Sequence, residues 1–363
     1  MTTAKTDLKF ALVGCGRIAK RHAELLGKAQ VPGARLAAVC DIVPEKARLL
    51  GEQYGVPYYT DMSEMMVKTP VDAVSVLTES GNHAGHVVAL AKFGKHIIVE
   101  KPMALTLDDA DAMIKACSDA GVKLFVVKQN RFNVPVAKLR SALEAGRFGK
   151  LVLGTVRVRW CREQSYYDQD KWRGTWALDG GVLANQASHH VDLLEWMMGE
   201  VEGVYAMSAT ALVKIETEDT AVVTVRFRNG ALGVIEATTA ARPKDLEGSI
   251  SILGETGSVE IAGFAVNQMK TWSFSRPEPG DGEVMARYSV NPPDVYGFGH
   301  RAYYAHVVDC VRNNTRQLVD GLEGRKSLEL IAGIYESIET GREVSLRSRP
   351  KKTRLGGRIH GQA

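Results

Sequence analysis

The stretch LKFALVGCGRIAKRHAELL, Leu8 to Leu26, decides the fold of this chain. Its first six residues are mostly apolar and predict a buried strand, and its last nine have the spacing of an amphipathic helix. Glycines at positions 14 and 16 separate the two elements, and an alanine stands at position 19 in the first turn of the helix. A strand, a tight glycine turn and a helix in this order predict the first βα unit of a doubly wound sheet.

The alternation continues along residues 8–127, where short apolar runs are followed by helical segments. The predicted strands are Leu8–Val13, Leu36–Cys40, Ala73–Leu77, Ile97–Val99 and Leu124–Val127, and the predicted helices are Ile18–Leu26, Glu45–Tyr54, His83–Phe93 and Leu107–Ala120. Such alternation is typical of right-handed βαβ units with a parallel sheet. We therefore predict an α/β domain of the Rossmann type over residues 1–127.

After about residue 150 the pattern changes to strands joined by short turns. Leu151–Trp160 alternates with period two, and Asn229-Gly230 is a hairpin signal between the runs 220–227 and 231–239. Two more runs, 249–253 and 258–261, flank another glycine turn, and helices are expected at about 182–198, 300–312 and 327–340. This pattern predicts an α+β domain with an antiparallel sheet over residues 128–346, followed by a basic C-terminal tail at 347–363.

Length and composition limit the class of protein. The 363 residues suggest about two domains, and 45% hydrophobic with 24% charged residues is typical of a soluble globular chain. No apolar run approaches the roughly 18 residues of a membrane span, and the first nine residues show no export signal. We expect a cytoplasmic protein with no membrane partner.

The positive net charge belongs to the tail. Removing its six bases between 347 and 358 from the total of 46 leaves 40 bases against 42 acids, a body charge of −2. A nucleic-acid partner is therefore not expected. The tail is either solvated or docks on a neighbouring subunit. The five cysteines are scattered and form no C-x-x-C pair, so no disulfide framework and no metal site are predicted.

The glycine turn fits a dinucleotide. Gly14 permits the tight turn, Gly16 lets the backbone approach a pyrophosphate, and the helix start at Arg17 and Ile18 favours the anion. Asp41 ends the second strand, where a carboxylate accepts hydrogen bonds from ribose hydroxyls and repels a 2′-phosphate. No Arg or Lys stands at 42–44, so we expect NAD as the cofactor rather than NADP. The alternative is a glycine turn that binds nothing.

A second motif, Glu100-Lys101-Pro102, follows the strand Ile97–Val99 directly. Ligands of open parallel sheets bind outside the carboxyl ends of the strands, so Glu100 and Lys101 are expected to reach the dinucleotide. Pro102 stops further strand pairing. A partly desolvated lysine at this place can exchange a proton with a substrate oxygen near the nicotinamide. The alternative is a surface ion pair.

These motifs resemble those of the Gfo/Idh/MocA family, the glucose-fructose oxidoreductases, inositol dehydrogenases and rhizopine catabolism proteins. The resemblance covers nearly the whole chain and includes GGVLANQASHHVDLLEWMMG at 180–199 and GRKSLELIAGIYESIETGREV at 324–344. It implies a Rossmann domain, a C-terminal domain with a large, mainly antiparallel open sheet, and oxidation of a sugar or cyclitol hydroxyl with a nicotinamide cofactor. It also implies a homodimer or homotetramer, and it places Lys101 beside substrate and nicotinamide.

Two family motifs are altered in this chain. T-P-N-x-x-H is replaced by TESGNH at 78–83, which leaves Thr78 and His83 as expected cofactor contacts. D-x-x-x-H is replaced by Asn185 and His189, which a helix would place on one face. The resemblance makes His189 an acid/base group, and its alternative is a core histidine. Because asparagine cannot stabilise an imidazolium by charge, Lys101 is the expected main proton acceptor.

The segment RVRWCREQSYYDQDKWRGTW, residues 157–176, contains five basic and five aromatic residues. Arginine forks suit phosphate and carboxylate, and aromatic rings stack on sugars or bases. Together with Lys101, Asn185 and His189, we expect Arg159 and Tyr166 to bind substrate. Trp172-Arg173 matches a W-R pair that many family members place near the cofactor. The alternative for this segment is a subunit contact.

Within the family, this segment with VVKQNRFNVP and DGGVLANQASHH resembles the bacterial UDP-sugar 3-dehydrogenases. That resemblance implies oxidation at C3 of UDP-N-acetylglucosaminuronate, a nucleotide sugar used in polysaccharide biosynthesis. One alternative is a dehydrogenase of inositol or a free aldose. Another is a non-catalytic dinucleotide sensor, which the presence of both Lys101 and His189 disfavours.

Overall fold

Two units, each with its own sheet, make up the computed structural model of the protein, which describes residues 6–289, 297–348, 350 and 353–357. The first unit comprises the described residues up to 127 together with 300–325, and the second comprises 128–299 and the residues from 326 onward. The sequence predicts domains at 1–127 and 128–346. The structure differs in placing 300–325 with the first unit.

The first unit begins with alternating strands and helices. They are β1 Leu8–Val13, α1 Arg17–Gly27, β2 Ala34–Cys40, α2 Pro44–Tyr54, β3 Tyr58–Tyr59, α3 Met62–Lys68, β4 Ala73–Val76, α4 His83–Ala91, β5 His96–Val99, α5 Leu107–Asp119 and β6 Leu124–Val126. The strands lie in the order β3-β2-β1-β4-β5-β6, and every pair is parallel. This is the strand order of a Rossmann fold and confirms the predicted class of the first domain.

The centre of this sheet is buried and mostly apolar, because helices cover both faces of a parallel sheet. Ile97, Ile98 and Val99 of β5 have no exposed surface. Burying each of these side chains stabilises the fold by about 1.5–3 kcal/mol. The buried strand ends at Val99, so Glu100 and Lys101 follow at the carboxyl edge of the sheet.

The remaining elements follow in the chain order. They are α6 Val134–Glu144, β7 Leu151–Arg159, α7 Gln164–Asp168, a π-helical turn Val182–Gln186, α8 Ser188–Met198, β8 Val201–Ala209, β9 Thr220–Phe227, β10 Leu232–Thr238, β11 Glu247–Gly254, β12 Gly257–Ala262, β13 Gln268–Phe274, α9 Asp281–Arg287, α10 Gly299–Asn313, α11 Gly321–Thr340 and β14 Val344–Ser345. The second sheet has the order β13-β12-β11-β7-β10-β9-β8-β14. Among the described strands of this sheet, only β7 and β10 pair in parallel, so the sheet is mainly antiparallel, as expected.

Helix α10 explains why 300–325 belongs to the first unit. Tyr304 packs edge-on against Phe10 of β1, with ring centroids 5.5 Å apart. Its hydroxyl lies 2.9 Å from the hydroxyl of Ser75 on β4. Further along, the Val126 N–H donates to the Val319 carbonyl at 3.2 Å. Because Tyr304 has no exposed surface, this part of the chain fills the core of the first unit.

The second unit packs α8 on one face of its sheet. Gly154 of β7 gives the room for this contact, since a Cβ there would lie 2.6 Å from the Met198 side chain and 2.8 Å from that of Leu194. Val156 and Val158 are buried, while the arginines at 157 and 159 alternate with them on the other face. The period-two prediction for this strand is therefore confirmed.

Several elements have no counterpart among the predicted ones, chiefly β8, β13, α3 and α6. Strand β13 buries only Met269, and its sequence QMKTWSF does not alternate between apolar and polar residues. It therefore carried no strand signal. The predicted helix at 182–198 is two pieces. A hydrogen bond from the Ala187 N–H to the Val182 carbonyl, 2.7 Å long, closes a π-turn before α8 begins at Ser188. Asn185 and His189 are therefore not on one continuous α-helical face.

Part of the predicted basic tail lies outside the described residues. Its described piece, 353–357, packs on the second unit of the same chain. Leu355 is buried, the Gly356 N–H donates to the Trp176 carbonyl at 2.8 Å, and the Arg354 guanidinium lies 4.4 Å from the Trp176 ring centroid. Within the ranges the structure describes, none of the helices has the length and apolarity that a bilayer crossing requires.

Candidate active site

The glycine turn has the geometry that a pyrophosphate needs. Gly14 has φ +97°, and a Cβ at this residue would lie 2.8 Å from the carbonyl carbon and oxygen of Leu77. A Cβ at Gly16 would instead meet nothing within 4 Å. The backbone is therefore open to a ligand at Gly16, directly before α1. Arg17 is exposed and Ile18 half-buried in the first turn of that helix, where N–H groups favour an anion.

Asp41 is held beside this turn at the end of β2. Its carboxylate accepts the Cys15 N–H at 2.7 Å and the Val43 N–H at 2.8 Å. These two bonds fix the carboxylate at the carboxyl edge of the sheet next to the glycine turn. That is the place where a ribose diol is bound in dinucleotide folds, so the residues fit the adenosine side of NAD.

Thr78 and His83 lie together after β4. His83 is buried, with Nδ1 2.9 Å from the Pro102 carbonyl and Nε2 3.0 Å from the Thr78 carbonyl. Burial lowers the pKa of His83, and the two carbonyl partners oppose this shift. The Thr78 hydroxyl lies 2.9 Å from Nδ1 of His86. His83 thus ties the loop after β4 to the segment after β5, and both residues remain predicted cofactor contacts.

Glu100 is the centre of a buried hydrogen-bond network. It is 5% exposed, and its Oε1 lies 3.1 Å from Nε2 of His22 and 3.7 Å from Nε2 of His300. Burial alone would raise the pKa of Glu100, but hydrogen bonds with the two histidines outweigh it and hold the pKa well below its usual range. The other oxygen accepts the Lys101 N–H at 2.9 Å. The network therefore fixes the backbone from which the half-buried Lys101 side chain extends.

His22, Glu100 and His300 also have the spacing of a metal site, since one ligand atom from each lies within 4.8 Å of the others. Nε2 of His22 lies at hydrogen-bond distance from Glu100, 3.1 Å, and Nδ1 of His22 lies 2.6 Å from the Tyr304 hydroxyl. We interpret the group as a buried hydrogen-bonded cluster around Glu100. Sequence reasoning missed it, because His22 and His300 are far apart in the chain.

His189 lies at the start of α8 in the second unit and is 7% exposed. One turn later, Asp192 accepts two hydrogen bonds from Arg131, both 2.8 Å long, and lies 3.6 Å from the Lys128 ammonium. Burial raises the pKa of Asp192, but the two cations outweigh it and lower the pKa to about 2. Lys128 also donates to the Ser327 hydroxyl at 2.8 Å. This buried ion cluster anchors the helix that carries His189.

Three predicted site residues of the second unit form one hydrogen-bonded group. Arg173 donates to the Tyr166 hydroxyl at 2.6 Å, and Gln186 donates to the same oxygen at 2.9 Å. Gln186 also donates to the Asn185 Oδ1 at 3.2 Å. The Arg173 guanidinium lies 4.6 Å from the Trp172 ring centroid. The sequence singled out Tyr166, Asn185 and Arg173, but Gln186 was not among the predicted residues.

Asp179 was also not predicted, although it links this group to the loop before it. It is 2% exposed, and its carboxylate accepts the Gly174 N–H at 2.7 Å and the Asn185 side-chain amide. Glu218 binds the π-turn: its carboxylate accepts hydrogen bonds from the Leu183 N–H at 3.0 Å and from the Tyr335 hydroxyl at 2.9 Å. Sequence reasoning assigned no role to either carboxylate: Asp179 was only the first residue of the quoted stretch DGGVLANQASHH, and Glu218 meets Leu183 and Tyr335 only through the fold.

Arg159 is bound within the second sheet. Its guanidinium donates to Glu236 on β10 at 2.5 and 2.8 Å and to Glu247 on β11 at 3.3 Å. Two carboxylates thus already neutralise its charge. The structure groups Arg159 with these strand neighbours, and its substrate-binding role stays a prediction.

Two family models match this chain. The model described as "Oxidoreductase family, NAD-binding Rossmann fold" matches residues 8–128, and the model described as "Oxidoreductase family, C-terminal alpha/beta domain" matches residues 140–346. Together they span most of both units. They confirm the expected oxidoreductase class and the expected NAD cofactor.

Solved structures and sequence relatives agree with this assignment. The WlbA dehydrogenase from Bordetella pertussis, in complex with NADH and UDP-GlcNAcA, has a TM-score of 0.90 and 43% identity over 94% of this chain and 99% of that one. Its counterpart from Chromobacterium violaceum, with the same two ligands, has a TM-score of 0.88 and 43% identity over 95% and 99%. The myo-inositol 2-dehydrogenase of Thermotoga maritima is 32% identical over 93% of this chain and 98% of that protein. This chain therefore belongs to the Gfo/Idh/MocA family of oxidoreductases.

Proposed function

We propose that this protein is an NAD-dependent dehydrogenase that oxidises the C3 hydroxyl of a nucleotide-linked uronic sugar such as UDP-N-acetylglucosaminuronate. The observation that carries this proposal is the 43% identity, over nearly the full length, to two WlbA dehydrogenases whose structures hold NADH and UDP-GlcNAcA. The matching family models support the cofactor fold and the oxidoreductase class, and a turnover assay decides which sugar is oxidised.

The first unit would hold the cofactor. The N–H groups at the start of α1 and the open backbone at Gly16 would bind the pyrophosphate, and Asp41 would accept hydrogen bonds from the ribose. Thr78, His83, Trp172 and Arg173 are the further proposed cofactor contacts. Bound NAD would supply the hydride acceptor, the nicotinamide C4 atom.

Lys101 would take the proton of the reaction. Oxidation of a secondary hydroxyl to a ketone releases one hydride to the nicotinamide and one proton to a base. A neutral Lys101 amine would accept that proton, and His189 would assist by hydrogen bonding to the same oxygen. Glu100 would act on this step by fixing the Lys101 backbone N–H. Tyr166 and Asn185 would bind hydroxyl groups of the sugar ring.

The test is turnover by the purified protein. UDP-N-acetylglucosaminuronate, UDP-N-acetylglucosamine, myo-inositol and glucose would be supplied in turn with NAD, and the absorbance of reduced nicotinamide would be followed. We expect a rise with the UDP-uronic sugar, lost by about 10²-fold or more in Lys101→Ala. Lys92→Ala is the matched control, because Lys92 is an exposed lysine of the same unit.

A second candidate, an inositol dehydrogenase, is favoured by the 32% identity to the Thermotoga maritima enzyme. Turnover of myo-inositol without turnover of either UDP-sugar would replace the nucleotide-sugar assignment by this one. Full activity of Lys101→Ala with the UDP-uronic sugar would refute the role of Lys101 while leaving the substrate in place.

A further inference from the structure

Asp179 is a buried carboxylate outside the family motif D-x-x-x-H. It contacts Asn185, the residue that departs from this motif. Asp179 is 2% exposed, so its charge requires hydrogen-bond donors. Two of its donors are the backbone N–H of Gly174, at 2.7 Å, and the side-chain amide of Asn185. Both donors belong to segments that carry proposed site residues. Asp179 therefore joins the loop of Arg173 to the π-turn of Asn185.

The contact with Asp179 determines how the Asn185 amide is oriented. An ionised carboxylate only accepts hydrogen bonds, so the NH₂ group of Asn185 must face it. The Oδ1 of Asn185 is then turned away, and it accepts a hydrogen bond from Gln186 at 3.2 Å. The family aspartate at this position would present an acceptor oxygen as well. This chain thus keeps a hydrogen-bond acceptor at Asn185, while the negative charge lies on Asp179.

The contact with Gly174 fixes the second segment. Gly174 has φ +66°, and a Cβ there would lie 2.8 Å from the Ile215 side chain. Its carbonyl accepts the Glu216 N–H at 3.1 Å and the Thr217 hydroxyl at 3.1 Å. Because Asp179 accepts its N–H, Gly174 is hydrogen-bonded through both its N–H and its carbonyl. Arg173, one residue earlier, is thereby placed against the Tyr166 hydroxyl at 2.6 Å.

We propose that Asp179 is a positioning residue and that Asp179 and Asn185 form a coupled pair with a single negative charge, which presents Asn185 Oδ1 to the substrate. This proposal rests on the proposed function, because it assigns the acceptor at 185 to a sugar hydroxyl. Restoring the family aspartate at 185 alone harms the enzyme, since it removes the amide donor to Asp179, and two ionised carboxylates in contact repel each other.

The test is a double-mutant cycle of wild type, Asp179→Asn, Asn185→Asp and the exchange variant that carries both substitutions. We expect kcat/KM for the oxidised sugar to fall about 10²-fold in Asn185→Asp and about 10-fold or more in Asp179→Asn. The exchange variant again has one carboxylate and one amide, so its kcat/KM should return to within about 10-fold of wild type. Additive losses in the exchange variant would overturn the coupling.

A pH series separates positioning from a purely structural role. In Asn185→Asp a proton shared between the two carboxyls restores a donor, and low pH favours that proton. The ratio of its kcat/KM to that of wild type should therefore rise as the pH is lowered from 9 to 6, whereas the same ratio for Asp179→Asn should stay flat. Equal profiles for both variants would contradict the proposal.

Thermal unfolding of the four proteins gives a readout without substrate. If wild type oxidises none of the four test compounds, the proposed function fails. The coupling of Asp179 and Asn185 is then tested by Tm alone: it is supported if the exchange variant regains the Tm lost in Asn185→Asp, and refuted if it does not. If wild type oxidises the UDP-uronic sugar and the exchange variant gains nothing in kcat/KM or Tm, the pair is refuted and the function stands.

Discussion

Replacing Glu218 by glutamine should remove a pH dependence from the stability of the second unit. Glu218 is 4% exposed, and its carboxyl accepts hydrogen bonds from the Leu183 N–H and the Tyr335 hydroxyl. Burial raises the pKa of Glu218 to about 7, more than the two hydrogen bonds lower it. Glutamine keeps an acceptor oxygen of the same shape and cannot ionise, so it is a matched replacement.

The sign and size follow from linkage. The folded protein holds a proton on Glu218 up to about pH 7, whereas an ordinary glutamate in the unfolded chain releases it near 4.5. The stability from this group is therefore complete below pH 4.5 and is lost as the pH rises through 7. A difference of 2.5 between the two pKa values corresponds to about 3 kcal/mol in total, of which about 2 kcal/mol is lost between pH 5.5 and 8.5.

The measurement is urea unfolding of wild type and Glu218→Gln at pH 5.5, 7 and 8.5, followed by tryptophan fluorescence. We expect the free energy of unfolding of wild type, relative to that of the variant, to fall by about 2 kcal/mol across this range. Parallel pH profiles for the two proteins would refute the reasoning, because they would show that Glu218 titrates alike in the folded and unfolded states.

Three further perturbations test the site. Asp41→Ala should raise KM for NAD about 10-fold or more and reduce the preference of the enzyme for NAD over NADP, because the ribose hydroxyls lose their acceptor. An unchanged ratio of kcat/KM for NAD to kcat/KM for NADP would contradict this role. Gly14→Ala should weaken NADH binding, measured by fluorescence titration, because the new Cβ would lie 2.8 Å from the Leu77 carbonyl; an unaltered Kd would show that the turn accommodates it. Asp192→Ala leaves Arg131 and Lys128 buried without their carboxylate, so it should cost about 3–5 kcal/mol in urea unfolding; a loss below about 1 kcal/mol would mean that water reaches the cluster.

The sequence predicted the first sheet well because its signals are local. The glycine turn at 14–19 and the buried run before Glu100 each carry their own spacing, and both positions were found in the expected elements. The period of β7 gave the correct face for Arg159. It could not show that Glu236 and Glu247, from strands β10 and β11, already bind that guanidinium, because strand neighbours depend on topology.

Several site residues escaped prediction because their partners are distant in the chain, as Glu218 shows with Leu183 and Tyr335. Asp179 is a different case, because its partners Gly174 and Asn185 are near in the chain but lie in a loop and a π-turn, which have no periodic signal. Glu100 was predicted from its motif, but its partners His22 and His300 stand 78 residues before it and 200 residues after it in the numbering. A pattern within a window of residues cannot register such pairs, since nothing in their own neighbourhood marks them.

The placement of Tyr304 also sets the order in which the chain becomes structured during synthesis. Phe10, His22 and Ser75 emerge early, yet the aromatic ring that covers them is made 229 residues after Ser75. About 200 residues separate Val127 from the end of the 300–325 segment, so at ribosomal rates the interval is on the order of 10–40 s. During this time Phe10, His22 and Ser75 lack the Tyr304 contacts of the folded chain, so the core of the nascent first unit stays incomplete until its own distant segment arrives.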